Sequence, residues 1–438
     1  MHTQKIGRTG LDSSVVRKAA DLAPTPFYLY DEKAIRARCR EMQDMPHANS
    51  LRVRYAMKAN SSRALLQIIA SEGLHIDASS LNEAKRAVMA GIEPARILLT
   101  TQEVPKAFEQ ADLEGLMARG LKYNACSLAQ LAAIAPFASR EKIAIGMRVH
   151  PGVGSGESVT RNTGDKYSCF GVHLSNLEEA LSLAREKSIT IERVHVHIGS
   201  GGEPEAWREN IERELDFVER YFPDATSVNF GGGFRVARMP DEIPADIMSL
   251  GQAAKSAIED FQKRTGRSLD MEVEPGTFIM ANAGYLVTSV MDIKRTGEDG
   301  FTFVLVDGGM ETITRPLLYG SRHPFALVSK DGSVKSDEFS MDESKAERLI
   351  VVGRCCESGD SLTLDSSQHI VPRPMARPSI GDWLVVGGAG AYCASMSPFN
   401  YNSHNQAAEI LLREDATLQC IRKRQSLEEL TQNEFSLQ

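Results

Sequence analysis

The stretch Leu51-Arg52-Val53-Arg54-Tyr55-Ala56-Met57-Lys58-Ala59-Asn60 decides between two fold classes. Its first part, Leu51–Met57, reads as a strand, and helix-like sequence follows it, which is the start of an α/β pattern. An open doubly wound sheet normally places a glycine-rich turn after its first strand. Lys58-Ala59-Asn60 is no such turn. Working outward, seven more strand-like runs appear: Leu74–Ala78, Arg96–Thr100, Leu121–Ala125, Lys142–Val149, Ile191–Ile198, Ser227–Phe230 and Leu269–Glu274. Helix-like stretches separate most of them. Ser80 with Glu83 forms a capping box before Ala84–Ala90, with a stop at Gly91, and Ser127 with Gln130 repeats the pattern. Ser175 is placed to cap a helix over Leu177–Lys187. Strand-then-helix repetition of this kind predicts an α/β fold of the closed (β/α)8 type, a TIM barrel.

From about Gly284 the pattern changes. Apolar, β-branched runs recur at Tyr285–Ile293, Phe301–Val306, Arg348–Val352, Trp383–Val386 and Glu409–Leu412. Gly- or Asp-rich turns separate many of them, which predicts a mixed or antiparallel β domain. The expected division is a barrel over residues 32–283 and a mostly β domain from 1–31 and 284–438. The stretch His150–Gly171 is long, and its first half is rich in Gly and Ser. It reads either as a lid or as a surface insertion.

The 438 residues are 42% hydrophobic and 25% charged, the balance of an ordinary globular protein. Net charge is −8 and no Lys/Arg cluster stands out, which argues against nucleic acid as a partner. Met1–Ser14 is polar, so no signal peptide is expected, and no apolar run approaches membrane-spanning length. Seven cysteines, an odd number, point to reduced thiols and a cytoplasmic location. Cys355 and Cys356 are adjacent, without metal-type spacing, and no metal site is expected.

In such a barrel the active site lies where the strands end. Those ends carry Lys58; Asp77, Ser79 and Ser80; Arg148; His197-Ile198-Gly199-Ser200-Gly201-Gly202; Gly231-Gly232-Gly233; and Glu274-Pro275-Gly276. Singly, each has a plain reading: a solvated lysine, a packed histidine, a tight glycine turn. Converging on one face, they describe one ligand. Two glycine clusters offer unobstructed backbone N–H groups to a phosphate. A lysine beside them can form a Schiff base with an aldehyde. A carboxylate can keep a pyridine nitrogen protonated, and the His197 ring can stack on a flat group. Phosphate, aldehyde and pyridine together are pyridoxal 5'-phosphate.

Tyr55-Ala56-Met57-Lys58-Ala59-Asn60, His195-Val196-His197-Ile198-Gly199-Ser200, Gly231–Gly233 and Glu274-Pro275-Gly276 resemble the motifs of the alanine-racemase-fold decarboxylases. Gly390-Ala391-Tyr392 resembles that wider group too, and within it Cys356-Glu357-Ser358-Gly359-Asp360, Val306-Asp307-Gly308-Gly309-Met310 and Arg315-Pro316-Leu317-Leu318-Tyr319 resemble the diaminopimelate decarboxylase family. The resemblance runs from about residue 25 to 412. It implies decarboxylation of an amino acid, meso-diaminopimelate to L-lysine, by a homodimer with shared active sites. It implies that Lys58 carries the cofactor, that His197 stacks on its ring and that Glu274 pairs with its nitrogen. Ser200, Gly231, Gly232, Gly233, Gly276 and Tyr392 would hold the phosphate, with Asp77 and Arg148 also at the cofactor. Cys356 and Glu357 would reach the substrate from the partner subunit, Cys356 as a proton donor. Arg315 and Tyr319 would bind the distal carboxylate of the substrate, and Glu357 and Tyr392 would also bind substrate.

The chain departs from the family pattern in two places. Thr277 stands where the family usually has an arginine, and threonine cannot make a bidentate carboxylate clamp. Ser397-Pro398-Phe399-Asn400-Tyr401-Asn402 runs one residue longer than usual, and Ser403-His404-Asn405-Gln406 replaces an arginine-containing segment. Both changes concern the substrate, so a paralogue acting on a related amino acid remains an alternative. An amino-acid racemase of the same fold is disfavoured by a carboxylate at 274. An inactive relative that binds a protein partner is disfavoured by Lys58, His197, Glu274 and Cys356 together.

Overall fold

The computed structural model describes residues 4–152, 163–199 and 204–437. Its contacts divide it into two units. One comprises Arg36–Val236 and Ile243–Ile279; the other comprises Met1–Ile35, Ala237–Glu242 and Met280–Gln438.

The first unit is a closed parallel barrel. Its strands, in chain order, are Leu51–Ala56, His75–Ala78, Ile97–Thr100, Lys122–Ala125, Ile145–His150, Ile191–His195, Ser227–Asn229 and Asp270–Val273. Each pairs in parallel with the next, strand eight pairs with strand one, and strand five with strand six completes the ring. Outward-facing residues such as Val53, Tyr55, Ile76 and Met271 are buried and apolar. The interior is polar. Glu272 on strand eight is fully buried and takes Nε and Nη2 of Arg54 on strand one at 2.7 and 3.0 Å. Arg193 on strand six reaches the same carboxylate at 3.0 Å, although strand seven lies between strands six and eight. That contact therefore spans the barrel lumen. Arg52 adds a third guanidinium at 2.7 Å from its more exposed position. Gly146 on strand five makes room for the layer, because a Cβ there would fall 1.9 Å from Asn124 Oδ1 and 3.1 Å from Arg193 Cβ.

Element boundaries differ locally from the sequence reading. Strand five starts at Ile145 rather than Lys142, because Lys142 (φ 55°) is the left-handed cap that closes helix Leu128–Glu141. Strand six stops at His195, leaving His197 on the following segment. Ser80 and Ser127 cap their helices, accepting from the amides of Glu83 and Gln130. The return bonds, however, reach one residue further back: Glu83 accepts from Ser79 N–H and Gln130 from Cys126 N–H. Ser175 is not a cap. Its amide donates to His173 Nδ1, and Asn176 precedes helix Leu177–Glu186. The middle of the long His150–Gly171 stretch, with the choice between lid and insertion, lies outside the described residues.

The second unit centres on a long strand, Gly284–Arg295. It pairs antiparallel with Phe27–Asp31, with Trp383–Val386 and with Thr302–Val306. Parallel pairs also occur, Phe27–Asp31 with Ala408–Leu412 and Thr302–Val306 with Glu347–Val352, so the sheet is mixed. Phe27, Leu29, Tyr285, Val287, Val328, Val385 and Ile410 pack into one core, and the N-terminal strand is part of it.

Burial alone would push the Glu272 carboxyl up, but Arg54, Arg193 and Arg52 overcome it and hold it well below the usual carboxylate range. Glu272→Gln would leave two buried guanidinium groups uncompensated, so a loss of about 3–5 kcal/mol is expected in denaturant unfolding. Because the folded-state pKa is depressed, this stabilisation is complete above the ordinary glutamate value of about 4.3 and lost as pH falls below it. The acid limb of the wild-type stability curve should be shallower in Glu272→Gln.

Candidate active site

Two residues beyond Glu272 on the same strand direction, Glu274 belongs to the next layer up. Strand alternation brings Glu274, Asp77, Arg148 and His195 to the same inner face as Glu272. All four are buried. Asn229 Nδ2 donates to Glu274 Oε1 at 2.7 Å, and His195 Nε2 lies 3.3 Å from Oε2. Burial raises the Glu274 carboxyl, but His195 against its Oε2 and the nearby Lys58 charge more than offset this and hold it below the usual carboxylate range. Glu274 is thus the ionised carboxylate of the site. Asp77 is its opposite: burial, then the Glu274 charge, push it well above the usual range despite the pull of Lys58. Its Oδ1 has no hydrogen-bond partner among the described residues. Two carboxyl groups are thereby driven apart in protonation, a common mark of a functional site.

Lys58 lies on a short 3₁₀ turn, Met57–Ala59, just past strand one, and is exposed. His197 is held by Gly232, whose N–H donates to its Nδ1 at 3.1 Å. That bond makes Nδ1 the acceptor and leaves the proton on Nε2. Burial, with Arg148 and Lys58 nearby, holds His197 well below its ordinary pKa, so the ring is neutral. Arg148 stacks 4.9 Å above the Phe170 ring, and its Nη2 has no hydrogen-bond partner among the described residues.

The glycines earn their place by close approach. A Cβ on Gly231 (φ 66°) would sit 2.6 Å from His197 Nδ1, and one on Gly232 would sit 2.4 Å from the Glu274 carbonyl. Gly233 (φ 97°) would strike the Gly199 carbonyl at 2.6 Å. Gly276 is tight against Ala56 and Ala59, at 3.2 Å. The result is a backbone-lined cradle beside a lysine, a neutral imidazole and an ionised carboxylate. Those groups fit pyridoxal phosphate: the cradle suits a phosphate, Glu274 a pyridinium nitrogen, His197 a ring face and Lys58 an aldehyde carbon. Ser200 lies outside the described residues.

The remaining expected residues belong to the β-rich unit. Arg315 opens a short helix, Arg315–Tyr319, and is 1% exposed. Tyr319 is half-buried, with its hydroxyl 3.9 Å from Met396 Sδ. Tyr392 occupies the left-handed region at φ 57°, unusual for a bulky side chain and a sign that its position is constrained. Cys356 and Glu357 are exposed. Their turn is anchored from behind: Asp360 accepts the amides of Met310 and Cys355 at 2.7 and 2.8 Å, and Arg354 Nε donates to Glu311 at 2.9 Å. Glu311, Cys355 and Asp360 have ligand-type atoms within 4.8 Å of one another, but these internal donors already occupy the carboxylates.

Sequence reasoning missed His195 and Asn229, the two side chains that fix Glu274. The signal was available, since each stands two residues before a residue that was singled out, His197 and Gly231, and so shares its face.

The model of the pyridoxal-dependent decarboxylase pyridoxal-binding domain matches residues 32–281. A diaminopimelate decarboxylase of Streptomyces coelicolor is 32% identical over 96% of this chain and 91% of its own length. That of Methanothermobacter thermautotrophicus is 33% identical over 94% of this chain and 92% of its own. Among solved structures, diaminopimelate decarboxylase from Helicobacter pylori complexed with L-lysine superposes with a TM-score of 0.79 at 27% identity, covering 95% of this chain and 98% of that one. With the barrel and its cradle, these likenesses place the chain: it belongs to the diaminopimelate decarboxylase family of pyridoxal-dependent decarboxylases.

Proposed function

We propose that this chain decarboxylates meso-diaminopimelate to L-lysine, acting in the cytoplasm as a homodimer with shared active sites. The observation that carries the chemistry is the ionised Glu274, braced by Asn229 and His195, beside a side-chain-free cradle and Lys58. L-Lysine, the ligand named for the Helicobacter pylori relative, is what diaminopimelate becomes on losing one carboxylate. Bound in the barrel, pyridoxal phosphate supplies the sink for the electron pair left behind by departing carbon dioxide.

The chain's own groups do the rest. Lys58 Nζ would hold the cofactor's aldehyde carbon. Glu274 would keep a proton on the ring nitrogen. His197 would face the ring without adding charge. Gly231, Gly232, Gly233, Gly276 and Ser200, with the Tyr392 hydroxyl, hold the phosphate, and Asp77 and Arg148 line the floor. Arg315, Tyr319 and Tyr392 bind substrate. Cys356 of the partner subunit or Lys58 would return a proton to the substrate's α-carbon, and Glu357 of the partner subunit would reach the substrate. Exposure of both Cys356 and Glu357 in the single chain supports their use across a subunit boundary.

A decarboxylation screen over diaminopimelate, lysine, ornithine and arginine, with stereoisomers separated, tests the substrate. Diaminopimelate should have the highest kcat/KM, and preference for a monocarboxylic amino acid would place the chain among paralogues. Glu274→Gln should still bind cofactor but lose roughly 100-fold or more in kcat. An unchanged kcat, with decarboxylation shown to limit the rate, would refute the role of Glu274. Lys58→Ala and Cys356→Ala should each be inactive alone. Mixed under conditions of subunit exchange, they should regain part of the activity through hybrid dimers; exchange without recovery would exclude shared sites.

A further inference from the structure

Strand five, Ile145–His150, ends with two polar residues on one side of the strand, since Arg148 and His150 are two positions apart. Both are buried, Arg148 at 7% and His150 at 4% exposure. The His150 ring uses both of its nitrogens. Nδ1 accepts the Gly152 N–H at 3.1 Å, which puts the ring proton on Nε2. Nε2 then donates to two carbonyls, that of Asp165 at 3.0 Å and that of Ser168 at 3.1 Å. One imidazole thus joins residue 152 to residues 165 and 168.

The chain around Ser168 is folded back onto strand five. Gly171 (φ 89°) lies so close that a Cβ there would stand 3.0 Å from the Arg148 carbonyl and 3.1 Å from the His150 amide nitrogen. Val172 and His173 then pair in parallel with Val149 and His150. Between these two fixed points stands Phe170, whose N–H donates to Ser168 Oγ at 3.4 Å. Its ring centre is 4.9 Å from the Arg148 guanidinium carbon. The same segment is also tied to the end of strand six. Thr163 donates through its N–H to the Ile198 carbonyl at 3.2 Å and through Oγ1 to the His197 carbonyl at 2.8 Å. Residues 163–171 therefore bind the two chain segments that carry Arg148 and His197.

A guanidinium stacked on a ring keeps its in-plane N–H groups for other partners. Arg148 Nη2 is buried and has no hydrogen-bond partner among the described residues. A buried donor is costly if it stays unfilled, so this one points to an acceptor on a ligand. We infer that His150 is a positioning residue of the cofactor site: by pinning Asp165 and Ser168 it seats Phe170 on Arg148, and the stacked guanidinium keeps Nη2 for an acceptor on the bound cofactor. The inference rests on the proposed pyridoxal phosphate reading for the identity of that acceptor. His150 acts through Ser168 and Phe170, so its effect on the cofactor must vanish when Arg148 is removed.

The test is a double-mutant cycle on the whole chain. Apoenzymes of the wild type, His150→Leu, Phe170→Leu, Arg148→Met and the two double variants with Arg148→Met are titrated with pyridoxal phosphate and followed by visible absorbance. His150→Leu and Phe170→Leu should each weaken cofactor binding about 5- to 30-fold, the range of a desolvated cation–π contact. In the Arg148→Met background each should change it by less than about 2-fold, because the group they position is gone. His150→Gln should recover part of the loss, since its amide offers one acceptor and one donor. Equal losses in both backgrounds would make His150 a purely structural residue and overturn the inference. Unchanged affinity in either single leucine variant would overturn it as well. If His150→Leu does not fold, Phe170→Leu carries the cycle alone. Arg148→Met binding the cofactor as tightly as wild type would take Arg148 away from the cofactor, and the inference with it. A wild-type chain that does not bind pyridoxal phosphate would remove the underlying reading.

Discussion

The barrel is wrapped around a carboxylate that no solvent touches. Barrels of this kind usually fill their interior with branched apolar side chains. Here Glu272 draws Arg54 and Arg193 into the lumen from strands on either side of its own, and Gly146 gives up its side chain so that Asn124 and Arg193 fit. A buried ion cluster is weak evidence for stability in itself, because desolvation offsets much of the attraction. It is strong evidence for register. A slip of one residue on strand eight would turn Glu272 outward against apolar helices and strand two arginines inside. The same slip would remove Glu274 from the layer above, so the structural anion and the functional one are positioned by a single constraint.

That constraint explains what could and could not be read from the sequence. The eight strands were legible because helix-like segments separate most of them, and residues such as Val53, Tyr55 and Ile76 supply an apolar face. Lys58, Asp77, Arg148, His197 and Glu274 stand out as candidates because strand ends in such a fold share one rim. The polar interior was not. Arg52-Val53-Arg54-Tyr55 alternates as a strand with one face in water would, and only ring closure turns the arginines inward. His195 and Asn229 were overlooked for the same reason: each precedes a more conspicuous residue on its own face. The capping signals at Ser80 and Ser127 were correct, yet Glu83 and Gln130 bond one residue further back than a box requires, because Ser79 N–H and Cys126 N–H lie nearer to them.

The two units carry different kinds of exactness. In the barrel, the cradle tolerates no Cβ: at Gly231, Gly232 and Gly233 it would fall 2.6, 2.4 and 2.6 Å from the nearest atom. Such positions cannot be altered without moving backbone, so the cofactor chemistry is fixed by the fold. In the β-rich unit, polar groups are instead held on loops by other side chains. Asp360 accepts two amides to shape the Cys356–Glu357 turn, and Gly309 and Gly353 yield to its carboxylate, where a Cβ would fall 2.2 and 2.3 Å away.

A guanidinium can reach an anion from several backbone positions, because its long side chain and planar fork leave geometry to choose from. A phosphate cradle made of backbone amides has no such freedom. Glu274 is held by Asn229 and His195, and Gly276 fits against Ala56 and Ala59, contacts that are made without the side chain of residue 277. In the β-rich unit, Arg315 is buried and, among the described residues, joins no carboxylate. The residues that hold Glu274 follow from strand alternation, whereas residues on the loops of the β-rich unit follow from no such period, and that is the physical reason the barrel rim was easier to read than the rest of the candidate site.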